Sequence, residues 1–142
     1  WSNTSNLKQA RSGHTASVLG NGKVLVSGGY KSGALTSAEL YDPSKDTWTT
    51  TGNMNYVRYY HTSSLLTNGK VLVTGGDTNT RALNSTELYD PSTGTWTTAT
   101  NMNYPRRYHT ASILTDGKVL VAGGDSDGAR NIAEFYDLSS GT

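Results

Sequence analysis

The sequence predicts an all-β protein built from three tandem copies of one unit of four antiparallel strands. A His-Thr-x-Ser-x-Leu run begins at His14 and returns at His61 and His109, after 47 and then 48 residues. An Asn-Gly or Asp-Gly dipeptide follows each run, and a Lys-Val-Leu-Val segment follows each dipeptide. This order of small residues, turn dipeptide and apolar run is typical of strands joined by hairpins.

The composition agrees with short strands and tight turns. The 142 residues include 16 glycines, nine tyrosines and three tryptophans, and 34% of them are hydrophobic. Such a low apolar fraction favours a core made of several thin layers. The chain contains no cysteine, which excludes disulfides, thiol catalysis and thiolate metal sites.

Charge and hydropathy argue against two classes of partner. Twelve basic and eleven acidic residues give a net charge of +1 without a concentrated basic patch, so no nucleic-acid partner is expected. No run approaches the roughly 18 apolar residues that a membrane span needs, so no membrane partner is expected. The sequence also predicts no cofactor.

The first two strands of each repeat form a hairpin. The first strands are expected near residues 13–19, 60–66 and 108–114, and they end at Asn21-Gly22, Asn68-Gly69 and Asp116-Gly117. Two-residue primed turns favour these dipeptides. The continuous apolar segment that follows is typical of a strand buried on both faces.

The last two strands carry glycine and aromatic landmarks. Double glycines end the second strand, where they permit close backbone approach. Because a buried Tyr or Trp removes about 150–250 Å² from water, we expect the aromatic landmarks to be core residues. The structural positions are Gly28, Gly29, Gly75, Gly76, Gly123 and Gly124, then Tyr41, Tyr89 and Tyr136, then Trp1, Trp48 and Trp96.

A period near 50 residues with these landmarks resembles the kelch repeat over essentially the whole chain. The resemblance implies a β-propeller in which each repeat is one blade. It also implies binding of partners where the inter-strand loops meet the central channel. The positions that match this surface are Ser12, Gly13, Tyr30, Tyr59, Tyr60, Asp77, Arg107, Tyr108 and Asp125. The alternative interpretation is that they are exposed loop residues without a binding role.

The repeat spacing predicts one array over residues 1–142. Blade 1 is expected at 13–59, blade 2 at 60–107, and blade 3 at 108–142 without a fourth strand of its own. Residues 1–12 are expected to hold a fourth strand and a linker, with Trp1 to about Leu7 completing blade 3 of a second chain. The near-identity of the repeats and this division of strands are typical of a designed, engineered or excised unit.

Assembly follows from the number of blades. Known propellers use roughly four to eight blades, so three blades do not readily close a ring, and an open array exposes an apolar face at each end. We therefore expect a homodimer in which two chains close a six-bladed ring around a two-fold axis. The other expected partner is a peptide or small ligand at the channel mouth.

The repeated polar residues admit more than one interpretation. His14, His61 and His109 favour hydrogen-bonded packing, with a ring of metal ligands as the alternative. Repeated arginines and glutamates predict ion pairs, with partner binding as the alternative. Asp125 to Gly128 favours a turn over a calcium loop. The ion pairs are expected among Arg11, Arg58 and Arg106 and Glu39, Glu87 and Glu134.

The expected function is a non-catalytic scaffold or a protein- or ligand-binding module. A kelch-like galactose oxidase requires a Cys–Tyr crosslink, which a chain without cysteine cannot form. No enzyme activity is therefore predicted. The alternative is a propeller enzyme or a metal-binding propeller with its site at the central channel.

Overall fold

The computed structural model describes residues 1–128 and 131–142. Within these residues the chain forms three antiparallel sheets with the strand orders β1-β2-β3-β4, β5-β6-β7-β8 and β9-β10-β11. The predicted repeating unit of antiparallel strands is confirmed. The strands are β1 (Thr15–Val18), β2 (Val24–Ser27), β3 (Ala38–Asp42), β4 (Thr47–Thr50), β5 (Thr62–Leu65), β6 (Val71–Thr74), β7 (Thr86–Asp90), β8 (Thr95–Ala99), β9 (Thr110–Ile113), β10 (Val119–Ala122) and β11 (Ala133–Tyr136).

The second strand of each sheet forms the core. Val71, Leu72 and Val73 in β6 are fully buried, which confirms the prediction of burial on both faces. In β10 the burial alternates: Val119 is fully buried and Leu120 is half-buried. The alternation arises because no described sheet covers the Leu120 face of the third sheet.

The hairpin turns differ from the predicted two-residue primed type. The Gly22 N–H donates to the Leu19 carbonyl at 2.9 Å, which closes a turn with Gly20 and Asn21 at its centre. Gly22 then adopts φ 79° and the Leu19 N–H donates to the Lys23 carbonyl at 2.8 Å. These contacts define a three-residue loop, a turn followed by a left-handed glycine. The Asn21 side chain selects this form because its Oδ1 accepts from the Lys23 N–H at 3.1 Å.

Neighbouring sheets pack through equivalent apolar faces. Leu19 and Leu25 of the first sheet lie in one cluster with Val71, Val73 and Tyr89 of the second. The second and third sheets repeat this contact. The second cluster contains Leu66, Leu72 and Val119, with Leu88, Ala99, Ala111, Tyr136 and Leu138 packed against it.

Two sheet faces remain open at the ends of the array. We call the face of the first sheet that carries Val18 and Tyr41 the leading face, and the face of the third sheet that carries Leu114, Leu120 and Phe135 the trailing face. Val18 and Phe135 are 62% and 58% exposed. Among the described residues there is no helix long and apolar enough to cross a membrane.

Candidate binding surface

In each repeat a short backbone bridge joins the loop before the first strand of the sheet to the loop after its second strand. In the first repeat the Ser12 N–H donates to the Tyr30 carbonyl and the Tyr30 N–H donates to the Ser12 carbonyl, at 3.0 and 2.8 Å. The bridges Tyr59 to Asp77 and Arg107 to Asp125 repeat this arrangement. Six of the predicted surface residues are therefore fixed at equivalent backbone positions.

The residue after each bridge has a left-handed backbone. Gly13, Tyr60 and Tyr108 have φ of 60°, 55° and 56°. The left-handed conformation costs a residue with a side chain about 1–2 kcal/mol, whereas glycine adopts it freely. Two of the three repeats thus place a tyrosine at a position where glycine would adopt the left-handed backbone without this conformational cost.

Four tyrosines form one continuous stack, which we call the tyrosine ladder: Tyr30, Tyr59, Tyr60 and Tyr108. The ring centroids are 5.3 Å apart for Tyr30 and Tyr59, 4.6 Å for Tyr59 and Tyr60, and 4.3 Å for Tyr60 and Tyr108. Tyr108 is 58% exposed, and Tyr30 and Tyr60 are also exposed. The ladder therefore joins three repeats into one aromatic surface.

Arg107 adds a cation at the edge of the ladder. Its guanidinium carbon lies 5.7 Å from the centre of the Tyr108 ring, a cation–π distance. Arg107 also forms an ion pair with the buried carboxylate of Asp77. The hydrogen bond from Arg107 to Asp77 raises the pKa of Arg107, and burial raises the pKa of Tyr59 with a further rise from Asp77. At neutral pH Tyr59 therefore presents a protonated phenol and Arg107 a charged guanidinium.

The structure divides the predicted surface residues into two groups. Tyr30, the other ladder tyrosines and Arg107 come together in one patch, with Asp77 beneath it. Ser12 is exposed and Asp125 is half-buried, and both take part in backbone bridges rather than in the aromatic stack. The Gly128 N–H donates to Asp125 Oδ1 at 3.1 Å, as in a turn. Residues 129 and 130 of this loop lie outside the described part of the chain.

The histidines contact threonines of the preceding repeat. His61 Nε2 lies 2.9 Å from Thr15 Oγ1, and His109 Nε2 lies 2.9 Å from Thr62 Oγ1. Burial lowers the pKa of His61 well below its usual value and that of His109 to about 4, and nearby arginines lower both further. The expected hydrogen-bonded packing is confirmed for these two histidines, while His14 is exposed. No group of three metal-binding side chains occurs within residues 1–128 and 131–142.

The predicted arginine–glutamate pairs are confirmed in all three repeats. The nitrogen–oxygen distances are 2.8 Å for Arg11–Glu39, 2.9 Å for Arg58–Glu87 and 2.6 Å for Arg106–Glu134. Arg58 is completely buried and also donates to the carbonyls of Gly75 and Ser85, at 2.7 and 3.0 Å. Each arginine therefore ties the segment before a blade to the blade itself and is not available to a partner.

The landmark aromatics lie between neighbouring segments. Trp96 is 8% exposed, and its Nε1 donates to the Gly52 carbonyl at 2.8 Å. Trp48 makes the equivalent bond to the Ser5 carbonyl at 3.0 Å. Their ring partners Tyr89 and Tyr41 lie 5.0 Å away. Tyr136 is half-buried, whereas Trp1 is fully exposed in the single chain.

The double glycines allow neighbouring repeats to touch. The Gly29 N–H donates to the Arg58 carbonyl, and the Gly76 N–H donates to the Arg106 carbonyl, both at 2.9 Å. A Cβ at Gly76 would lie 2.7 Å from the Tyr59 carbonyl oxygen, so a side chain cannot enter. All six glycines have φ between 61° and 102°: Gly28, Gly29, Gly75, Gly76, Gly123 and Gly124.

A polar cleft of about 620 Å³ between the second and third repeats was not anticipated from the sequence. Tyr56, Arg81 and Pro105 line it together with Arg107, which extends the candidate surface outward from the ladder. Arg81 and Pro105 differ in residue type from the residues at the equivalent positions of the other repeats. The repeat pattern therefore gave no indication of a functional role for them.

The fold defines three consecutive antiparallel sheets of the kind that form the blades of a β-propeller. The whole chain, residues 1–142, matches the family model described as the KLHDC2/KLHL20/DRC7 Kelch-repeats domain. The chain therefore belongs to the kelch-repeat family, whose domains are typically protein-binding scaffolds. Comparison with curated proteins gave no significant match.

Proposed function

We propose that the chain is a non-catalytic scaffold that assembles as a two-chain, six-bladed ring and binds a protein or peptide at the tyrosine ladder, at the channel mouth. The observation that carries the binding proposal is the left-handed backbone of Tyr60 and Tyr108. This backbone conformation costs free energy for a residue other than glycine. Such residues are therefore found mainly at ligand-binding and active sites, where the conformation serves function. Gly13 at the equivalent position of the first repeat supports this argument, since the backbone does not require a tyrosine.

The chemistry of the ladder favours a peptide ligand. Stacked tyrosines offer a large contact area, rigid side chains and phenol hydrogen bonds, and Tyr and Arg are enriched among residues that dominate binding energy. Arg107 keeps its charge at the rim while Asp77 holds its guanidinium in place. A partner would therefore meet a surface that is already ordered, which reduces the entropy lost on binding.

The test of binding uses a displayed library of random linear peptides selected against the 142-residue chain. Tyr60→Gly and Tyr108→Gly remove one ring each and leave the residue that Gly13 already shows at this backbone position. We expect the selected peptides to bind each variant about tenfold more weakly or worse. The free energy of unfolding should change little, because relief of the left-handed strain offsets the lost ring contact and the greater freedom of glycine in the unfolded chain.

Tyr104→Ala is the matched control, since Tyr104 is 44% exposed and lies outside the ladder. It should leave peptide affinity unchanged. A selection that enriches no peptide, or peptides that bind both glycine variants as tightly as the original chain, would contradict the binding proposal.

The assembly proposal rests on the likeness between the open end faces and the faces already paired inside the chain. Leu114 and Leu120 on the trailing face occupy the repeat positions of Leu66 and Leu72, which pack against the third sheet. Val18 on the leading face occupies the repeat position of Leu65, which packs in the cluster between the first two sheets. The trailing face of one chain thus matches the leading face of a second copy.

A cavity beside β11 supports exchange of the N-terminal segment. Its volume is about 170 Å³, and Tyr136, Met102 and Thr100 line it. These are the repeat positions of Tyr89, Met54 and Gly52 around Trp96. We propose that Trp1 of a second copy enters this cavity.

The length of the exchanged segment follows from the contacts of its neighbours. The Ser5 N–H donates to Asp46 Oδ1 at 2.9 Å, and the Lys8 N–H donates to Glu39 Oε2 at 2.8 Å, so the chain from Ser5 onward packs on its own first blade. Residues 1–4 are exposed and make no strand in the single chain. We therefore propose that the exchange is confined to residues 1–4, a shorter segment than the expected Trp1 to about Leu7.

The measurement for assembly is the mass in solution. Light scattering of the purified chain should give twice the 15.2 kDa mass of one chain. A stable monomer would contradict ring closure, and three chains per particle would contradict the number of six blades.

A further inference from the structure

Three series of hydrogen bonds pass from repeat to repeat, and each series is open at both ends of the array. In the first series the Tyr60 N–H donates to the Gly13 carbonyl at 2.9 Å, and the Tyr108 N–H donates to the Tyr60 carbonyl at 3.1 Å. The next members would be the Tyr108 carbonyl as acceptor and the Gly13 N–H as donor. These two groups lie at opposite ends of the chain's array.

The second series joins the double glycines to the next arginine. The Gly29 N–H donates to the Arg58 carbonyl, and the Gly76 N–H donates to the Arg106 carbonyl. Its continuation would need the Gly124 N–H as donor and the Arg11 carbonyl as acceptor. Gly124 shares the positive φ of its equivalents, at 90°, so its N–H is already oriented as theirs are.

The third series joins a threonine hydroxyl to a histidine ring. Thr15 contacts His61 and Thr62 contacts His109, each at 2.9 Å. Thr110 is the equivalent threonine of the third repeat and is exposed, as is His14. His14 has no threonine partner among the described residues.

We infer that two copies of the chain close their ring through these three series, and that protonation of His14 opens it. The contacts at each junction are Gly13 N–H to the Tyr108 carbonyl, Gly124 N–H to the Arg11 carbonyl, and the His14 ring to the Thr110 hydroxyl, each across the two copies. The inference rests on the proposed two-chain ring. It goes further by assigning the contacts and the proton dependence of the junction.

The internal histidines explain why a proton opposes the junction. Nδ1 of His61 and of His109 is buried without a hydrogen-bond partner among the described residues, so a protonated ring would bury a charged N–H without an acceptor. At the junction the groups that face His14 are Arg11 and His61 of its own chain and His109 of the second copy, by equivalence with the surroundings of His61. Partial desolvation and then the cationic Arg11 lower the pKa of His14, and neither histidine supplies a negative charge that would stabilise a protonated ring.

The experiment measures the dissociation constant of the dimer by analytical ultracentrifugation at about pH 7.5 and about pH 5, for the 142-residue chain and two variants. For the original chain we expect the dissociation constant of the dimer to rise about tenfold or more when the pH is lowered from about 7.5 to about 5. Thr110→Val removes the hydroxyl and should weaken the dimer about tenfold at the higher pH, because two junctions lose a hydrogen bond. His14→Gln keeps a polar side chain that does not titrate, so its dimer should lose most of the pH dependence.

Thr95→Val is the matched control, since Thr95 is an exposed strand threonine of the middle sheet. It should behave as the original chain at both pH values. A dimer that Thr110→Val does not weaken, or whose pH dependence persists in His14→Gln, overturns the junction and leaves the two-chain ring standing. A monomer at the higher pH overturns the ring itself.

Discussion

Arg58 illustrates how a single buried charge holds two segments together. The guanidinium has no exposed surface, and it bonds Glu87 and two backbone carbonyls. Burial lowers the pKa of Arg58, and the hydrogen bond to Glu87 opposes that shift. A buried pair of this kind contributes little net stability, but loss of one partner leaves the other charged and buried.

Arg58→Met should therefore be strongly destabilising. We expect the free energy of unfolding to fall by about 3–5 kcal/mol, since Glu87 loses its cation inside the protein. Urea unfolding at neutral pH measures this change. Arg81→Met is the control, because Arg81 is exposed and its replacement should change stability by less than about 0.5 kcal/mol. Equal stability of the two variants would rule out the buried pair.

His109 gives the chain a defined response to acid. The pKa is lowered to about 4 in the folded chain, first by burial and then by Arg106, and is about 6.5 when unfolded. Below about pH 6.5 the unfolded chain binds a proton that the folded chain does not, so stability is lost as the pH falls from about 6.5 toward 4. Between pH 6.5 and 5 this histidine should cost about 1–2 kcal/mol.

His109→Gln tests this response. Its free energy of unfolding should fall by about 1–2 kcal/mol less than that of the original chain between pH 6.5 and 5. Urea unfolding at both pH values, at one protein concentration, gives the comparison. Parallel losses in the two proteins would show that His109 does not titrate in this range.

At the scale of the element, the double glycines decide how closely blades approach. Gly76 has φ 98°, and its N–H donates to the Arg106 carbonyl. A methyl group there meets the Tyr59 carbonyl oxygen at 2.7 Å and His61 Cβ at 2.9 Å, both of which are fixed by the fold. At Gly76 the end of the strand therefore lies too close to its surroundings for a side chain to fit, and its backbone contacts the next repeat directly.

Gly76→Ala should lower the free energy of unfolding by at least about 2 kcal/mol, because the left-handed backbone alone costs about 1–2 kcal/mol and the contact adds to it. Gly20→Ala is the matched control, since nothing lies within 4 Å of a Cβ at Gly20. Thermal and urea unfolding of both variants provide the measurement. If the two alanine variants are equally stable, the close approach is not a constraint.

At the scale of the whole molecule, replacement of Trp1 tests the proposed exchange of N-terminal segments between two chains. Trp1 is fully exposed in the single chain, although its repeat equivalent Trp96 is buried. Trp1→Ala should weaken the dimer by about 3–5 kcal/mol per exchanged segment, by analogy with core tryptophan replacements. Sedimentation equilibrium measures the change, and Ser2→Ala is the control. An unchanged dimer in Trp1→Ala would place the tryptophan outside the interface.

The repeat period determined the elements and several of their partners from sequence alone. Strand order, the buried Val-Leu-Val segment and the Arg58–Glu87 pair were all predictable, because equivalent residues recur at a fixed spacing and their chemistry is complementary. The candidate binding residues were predicted only as a set of positions. The turn type was predicted wrongly, because the Asn-Gly dipeptide serves both a two-residue turn and the observed three-residue loop.

Only the tertiary structure decided which residues of that set act together. Tyr60 and Tyr108 are 48 residues apart, and their stacking at 4.3 Å depends on the packing of adjacent blades and on a left-handed backbone that no local pattern encodes. The exposure of His14 and the burial of His61 likewise follow from position in the array, although both lie in the same motif. Local sequence specifies a blade because its contacts are short in range. The surfaces between and beyond blades arise from contacts about one repeat apart, which only the folded chain brings together.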